Sequence, residues 1–242
     1  MKSFLINLIR KSKGFALLVK IHIILNPFAE FFMYLSYLAK FSSWVSKNKS
    51  IAGFSDYYSY RFNYGKRNQV YQWINEKYLR DIPVSYLEFG VAGGHSFRWW
   101  AENHQHEESR FVGFDTFTGL PETWNLFKQG SMSVEGKLPE LADSRCSFKK
   151  GLFQETLPPF LAEYTFGKQN VIHMDADLYS STLYVLTSLA PFLQKGDIVI
   201  FDEFGVPLHE FRAFLDFTKS FYLNIRLIAG SNNFYQAAFI VD

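Results

Sequence analysis

Residues 86–96, YLEFGVAGGHS, join a short apolar run to a glutamate and a glycine turn, at a point where a helix is expected to begin. Glu88, Gly90, Gly93 and Gly94 have the chemistry of a nucleotide cradle: glycines let backbone approach a ligand and take φ > 0, and the following helix offers free N–H groups. A plain packing turn after a strand has the same composition, so the turn alone leaves both readings open. Two further apolar runs end in acids. VIHMDADLY carries Asp175 and Asp177, and DIVIFDEF carries Asp202 and Glu203. In open parallel sheets ligands bind beyond the carboxyl ends of the strands. Three acidic strand ends therefore point to one shared site.

The elements that position these residues follow from the pattern beyond Pro83, where apolar runs alternate with helical periodicity, as in an α/β fold built on a mostly parallel sheet. Strands are expected at 84–89, 110–114, 147–150, 170–174 and 197–201, and helices at 97–104, 181–193 and 207–221. Residues 223–229 and 234–241 flank GSNN, a turn-rich sequence suited to a terminal antiparallel hairpin. Ahead of the first strand, Val70, Tyr71, Ile74 and Tyr78 recur at helical spacing and predict a helix over 68–78 that covers one sheet face. The interval 116–145, with Trp124, Phe127 and Met132, reads as a lid over an acceptor site or as a surface excursion.

At 242 residues the chain suits one α/β domain with an appendage. A net charge of +2 gives no footing for nucleic-acid binding. The single cysteine, Cys146, cannot form an internal disulfide and fits a reducing, cytoplasmic compartment. Residues 1–50 stand apart as a basic, amphipathic helical extension to a 51–242 domain: Lys2, Arg10, Lys11, Lys13, Lys20, Lys40, Lys47 and Lys49 face Glu30 as the only acid. A membrane-spanning helix needs roughly 20 mainly apolar residues, and Lys20, Asn26, Pro27 and Glu30 interrupt these runs. Arg10, Lys11 and Lys13 also argue against a cleavable signal. The extension lies on an anionic membrane surface, at the inner face of the membrane, or packs on the domain or on a second subunit of a homo-oligomer.

Taken in order, EFGVAGG, GFDTFTGLPE, KKGLFQETLP, HMDADLYSST and VIFDEF resemble the class I S-adenosylmethionine-dependent methyltransferases. Within these they resemble the macrocin O-methyltransferase family, whose members methylate sugar or phenolic hydroxyls of natural products. The resemblance covers residues 84–242 and implies a Rossmann-like fold, with a seven-stranded, mostly parallel sheet ending in an antiparallel hairpin. It implies that Glu88 and Gly90 line the methionine end of S-adenosylmethionine, with Gly93 and Gly94 allowing close approach. Asp115 would accept hydrogen bonds from the ribose hydroxyls, and Phe153 or Gln154 would pass the adenine. A divalent cation, Mg²⁺, is implied at Asp175, Asp202 and Glu203; Glu203 departs from the Asp or Asn usual there. Asp177 is then the candidate general base, with capping of the next helix as its structural alternative. The implied partner is an acceptor carrying a sugar, glycan or natural-product hydroxyl.

The histidines are weaker candidates. His104 and His106 sit among Glu102, Glu107 and Glu108, the pattern of a solvated surface; His173 reads as a core or edge histidine, and His209 is a candidate for acceptor contact. Two rival functions stand beside the methyltransferase: a metal-dependent glycosyltransferase of the DxD type, and a catalytically inactive, membrane-docked binding protein that keeps the cofactor fold. The glycine turn and the Asp202–Glu203 pair favour the methyltransferase over the first.

Overall fold

The computed structural model describes residues 2–242 and divides into two units, one ending at Lys40 and the other running from Phe41 to Asp242. The first unit holds α1 (Lys2–Leu18) and most of α2 (His22–Asn48), two helices bent by 107° at their junction. No side chain of α1 is buried, and the buried residue of α2 is Val45, which belongs to the second unit. Among the described residues no single helix is long and apolar enough to cross a membrane.

The second unit is built on eight strands: β1 (Phe54–Ser55), β2 (Ser85–Phe89), β3 (Arg110–Asp115), β4 (Cys146–Lys150), β5 (Asn170–Met174), β6 (Ile198–Phe201), β7 (Ile225–Ser231) and β8 (Gln236–Val241). They lie in the order β1-β7-β8-β6-β5-β2-β3-β4, and β8 alone runs antiparallel to its neighbours. Eight strands replace the expected seven because β1 is two residues long, too short to leave a periodic signal, and pairs in parallel with β7. Every residue of β2, β5 and β6 is buried. Strands covered on both faces read as continuous apolar runs, which is why the sequence marks them clearly.

Helices α3 (Arg67–Ile74), α4 (His95–Asn103), α5 (Phe153–Glu163), α6 (Tyr179–Leu189) and α7 (Glu210–Phe221) complete the unit. A 3₁₀ turn at Tyr64–Lys66 precedes α3 and a π turn at Asn75–Leu79 follows it. The sequence expectation contained no α5, whose Pro158 and Pro159 obscure a helical pattern. The division between units falls ten residues before the expected boundary at residue 50, because Phe41 and Trp44 are packed in aromatic contact with Phe204 and Phe211, and Trp44 also with Phe214, Phe234 and Phe239. Strand order reverses between β5 and β2, so the carboxyl ends of these two central strands form the crevice where a ligand is expected.

Candidate active site

A cavity of about 390 Å³ opens at that crevice, lined by Gly90, Ala92, Asp115, Phe153, Gln154, Asp175 and Asp177 among others. This lies within the size range of small-molecule sites. Gly90, just past β2, has φ +97°, and a Cβ there would lie 1.8 Å from the Asp175 carbonyl oxygen. Only glycine lets the chain leaving β2 pass so close to the chain leaving β5. Asp115 closes the other side, its two oxygens accepting from the backbone N–H groups of Ala92 (2.8 Å) and Phe117 (2.6 Å). The carboxylate thus ties the glycine turn to the loop after β3, and Asp115 lines the cavity. Gly93 and Gly94 do not line the cavity. Gly94 instead has φ +77° and turns the chain into α4, where a Cβ would meet Pro139 at 2.8 Å.

Beside the cavity, carboxylate oxygens of Asp175, Asp177 and Glu203 all lie within 4.8 Å of one another. Asp177 takes φ +58° and is 7% exposed. It does not cap α6, whose N-cap position is Leu178 without a side-chain bond. Burial, then the charges of Asp202 and Asp115, push the Asp177 carboxyl up to about 7. Burial first, and the neighbouring acids after it, also raise Asp175 and Glu203 well above the usual carboxylate range. Glu210, in the first turn of α7, is fully buried, accepts the Glu203 N–H at 3.0 Å and is raised for the same reasons. Glu203 Oε2 is buried with no hydrogen-bond partner. Three hard oxygen donors, crowded, mutually repelling and incompletely satisfied, fit a divalent cation such as Mg²⁺.

Asp202 differs from the role that the resemblance implied. The acid trio includes Asp177 in its place, because Asp202 is engaged beneath the site. Its carboxylate accepts from Tyr64 Oη (2.6 Å), Arg67 Nη1 (2.6 Å) and Tyr71 Oη (2.7 Å), and its side chain is fully buried. Burial pushes its pKa upward, but the His173 hydrogen bond and the Arg67 charge outweigh this and hold it well below the usual range. His173 continues the network, with Nε2 3.2 Å from Tyr71 Oη and Nδ1 2.7 Å from Tyr86 Oη. Burial lowers the His173 pKa, yet hydrogen bonding to Asp202 and Glu88 prevails and raises it to about 9. Tyr86 also bonds Glu88, which accepts from Ser96 Oγ at 2.8 Å. Glu88 is therefore fully buried in this network and does not line the cavity, contrary to its expected place at the methionine end.

A protein-family model described as a methyltransferase domain matches residues 87–204, the stretch that carries the cavity and the acids. Residues 87–204 form a methyltransferase domain. Among curated relatives, the 8-demethyl-8-(2,3-dimethoxy-alpha-L-rhamnosyl)-tetracenomycin-C 4'-O-methyltransferase of Streptomyces olivaceus is 29% identical, over 61% of this chain and 65% of its own length. The mycinamicin III 3''-O-methyltransferase of Micromonospora griseorubida is 34% identical over 30% of this chain and 29% of its own length. The matches thus span under two thirds of either relative. Among solved structures, a calicheamicin methyltransferase aligns with TM-score 0.56 and 24% identity, over 73% of this chain and 77% of that one. The O-methyltransferase NovP aligns with TM-score 0.58 and 22% identity, over 72% and 79%. Both share the fold.

Around this domain the residues that sequence reasoning missed are Tyr64, Arg67 and Tyr71, which hold Asp202 from a segment ahead of the matched residues. Their i, i+3, i+7 spacing places them on one helical face, and an arginine among tyrosines on a face that otherwise packs inward was the available signal. His104 also departs from expectation. It is 3% exposed, between Asn75 and Ser109, instead of lying on a solvated surface. His209 lies at the site's margin, where its Nδ1 is 3.3 Å from the Tyr179 backbone N–H and its ring meets Trp124. Of residues 116–145, the stretch from Thr116 to Glu122 and Met132 contribute to the cavity wall, and Leu120 packs with Trp124 and Leu178 behind it. A wider depression of about 840 Å³ between β3, β4 and α5 contains none of the strand-end acids.

Proposed function

We propose that this methyltransferase transfers the methyl group of S-adenosylmethionine to a hydroxyl of a sugar, glycan or natural-product acceptor, and that Asp177 removes the hydroxyl proton. The observation that carries the reading is one cavity shared by Asp115, Phe153 and Gln154 on one side and Asp175 and Asp177 on the other. S-adenosylmethionine, when bound, supplies an electrophilic methyl group on a sulfonium. Asp115 offers anionic acceptors to the ribose hydroxyls, and Phe153 and Gln154 offer an apolar face and an amide edge to the adenine. Asp177 stands where the cavity meets the acid cluster, and its raised pKa makes it a stronger base than a solvated carboxylate. Most of the acceleration then comes from holding the acceptor oxygen in line, with proton removal as a supplement. The names of the two relatives, one recording 4'-O-methylation of a rhamnosyl-tetracenomycin and the other 3''-O-methylation of mycinamicin III, support a glycosidic acceptor of the macrocin O-methyltransferase type.

A second reading has its own observation. Asp175, Asp177 and Glu203, with the orphaned Glu203 oxygen, would hold a divalent cation that lowers the pKa of the acceptor hydroxyl, while Asp202 and Arg67 brace the cluster from below. The test is transfer of radiolabelled methyl to a panel of rhamnosylated acceptors, with and without chelator. Methyl transfer is the expected result. Glycosyl transfer from a nucleotide sugar, or binding of S-adenosylmethionine without turnover on any hydroxyl of the panel, would replace this reading. Activity that survives the chelator removes the cation and leaves Asp177 as the base.

A further inference from the structure

We propose that residues 2–40 dock on the surface of a lipid bilayer carrying anionic headgroups. The inference is independent of the chemistry assigned to the cleft. Phe4, Leu8, Phe15, Leu18, Phe28 and Phe31 are each more than half exposed, and no side chain of α1 is buried. Monomeric soluble proteins rarely expose contiguous apolar patches larger than a few hundred Å², so a two-helix unit this apolar needs an occupant. In α1, Phe4, Leu8 and Phe15 recur at i, i+4, i+11 beside Leu5 and Ile9, which makes one apolar face. By the same period Arg10 falls on the opposite side, and Lys2, Lys11 and Lys13 fall at the margins. There their aliphatic stems can lie along the apolar layer while the ammonium groups reach the headgroups.

Charge selects the occupant. Residues 1–40 carry Lys2, Arg10, Lys11, Lys13, Lys20 and Lys40 against Glu30 alone. Two such units face to face would repel, whereas an anionic membrane attracts each cation near its surface. The bend of 107° between α1 and α2, with Lys20 at the break, suits helices lying in the interface better than a straight crossing.

The test is co-sedimentation of the full-length protein with vesicles of phosphatidylcholine alone and of phosphatidylcholine mixed with phosphatidylglycerol. Binding to the mixed vesicles should exceed binding to the neutral ones and should fall as salt rises. Arg10→Glu, Lys11→Glu and Lys13→Glu together should weaken it on the order of 10²-fold, about fivefold per cation removed. Phe4→Ser with Phe15→Ser should weaken binding to both vesicle types, with the unfolding transition of the 41–242 unit unchanged. Equal binding to neutral and anionic vesicles, or no binding, overturns the proposal without any variant. So does a stable dimer in gel filtration that dissociates in the Phe4→Ser, Phe15→Ser protein, because a second copy then covers the face.

Discussion

Asp177→Asn separates catalysis from stability because the two readouts should move in opposite directions. The side chain is 7% exposed and the backbone sits at φ +58°, a conformation that asparagine tolerates as well as aspartate. The substitution therefore keeps shape and removes charge. A carboxyl that ionises near 3.8 in the open chain and near 7 in the folded protein binds more protons when folded. Its contribution to stability is full below pH 3.8 and is lost as pH rises through 7, a difference of about 4 kcal/mol. Asparagine has no such loss. In chelator, urea unfolding should show the variant matching the parent at pH 4 and exceeding it by up to about 4 kcal/mol at pH 8. Turnover should fall roughly 10²–10⁴-fold if proton removal limits the rate. The rise in parental kcat between pH 6 and pH 8 should also vanish in the variant. A variant less stable than the parent at pH 8, or one that keeps both its turnover and its acid limb, refutes the assignment of Asp177 as a buried base.

Three further outcomes are expected. Asp115→Ala should weaken S-adenosylmethionine binding tenfold or more in calorimetry, since one hydrogen bond to a charged acceptor is worth about 1.5–3 kcal/mol; unchanged affinity in the folded variant removes Asp115 from the cofactor site. Mg²⁺ should raise the melting temperature at pH 8 and much less at pH 5, where protons already hold Asp175, Asp177 and Glu203. No shift at pH 8 would dismiss the cation. Arg67→Met should cost about 3–5 kcal/mol in urea unfolding, because it removes the closer of the two cations, Arg67 and His173, that hold the fully buried Asp202 carboxylate. Adding Asp202→Asn should recover part of that loss, and a cost under 1 kcal/mol would show that the tyrosines and His173 suffice.

The central sheet was legible because strands buried on both faces are written as unbroken apolar runs, and the acids stood out as the points where those runs stop. Asp115, Phe153 and Gln154 reach the cavity because each follows directly on such a run or opens the next helix. Glu88 lies off the cavity for a physical reason. A carboxylate in a fully buried strand needs partners, and Tyr86, Ser96 and His173 supply them inside the fold, turning the side chain away from the cleft. The Asp202 network was half legible: helical spacing groups Tyr64, Arg67 and Tyr71 on one face, but their partner lies more than 130 residues along the chain, and no local period names it. His104, surrounded by acids in sequence, is buried by a turn that brings Ser109 back over it.

The support that residues 64–71 give to Asp202 means that the span matched by the family model is shorter than the span that folds. Excising residues 87–204 would strip Asp202 of three donors, remove β7 and β8 from the flank of β6, and uncover Phe204, which Phe41 and Trp44 cover. Changes between Phe41 and Arg80 can therefore unmake the cleft without touching any ligand. A graft that moves this cleft into another protein must bring that preceding stretch with it.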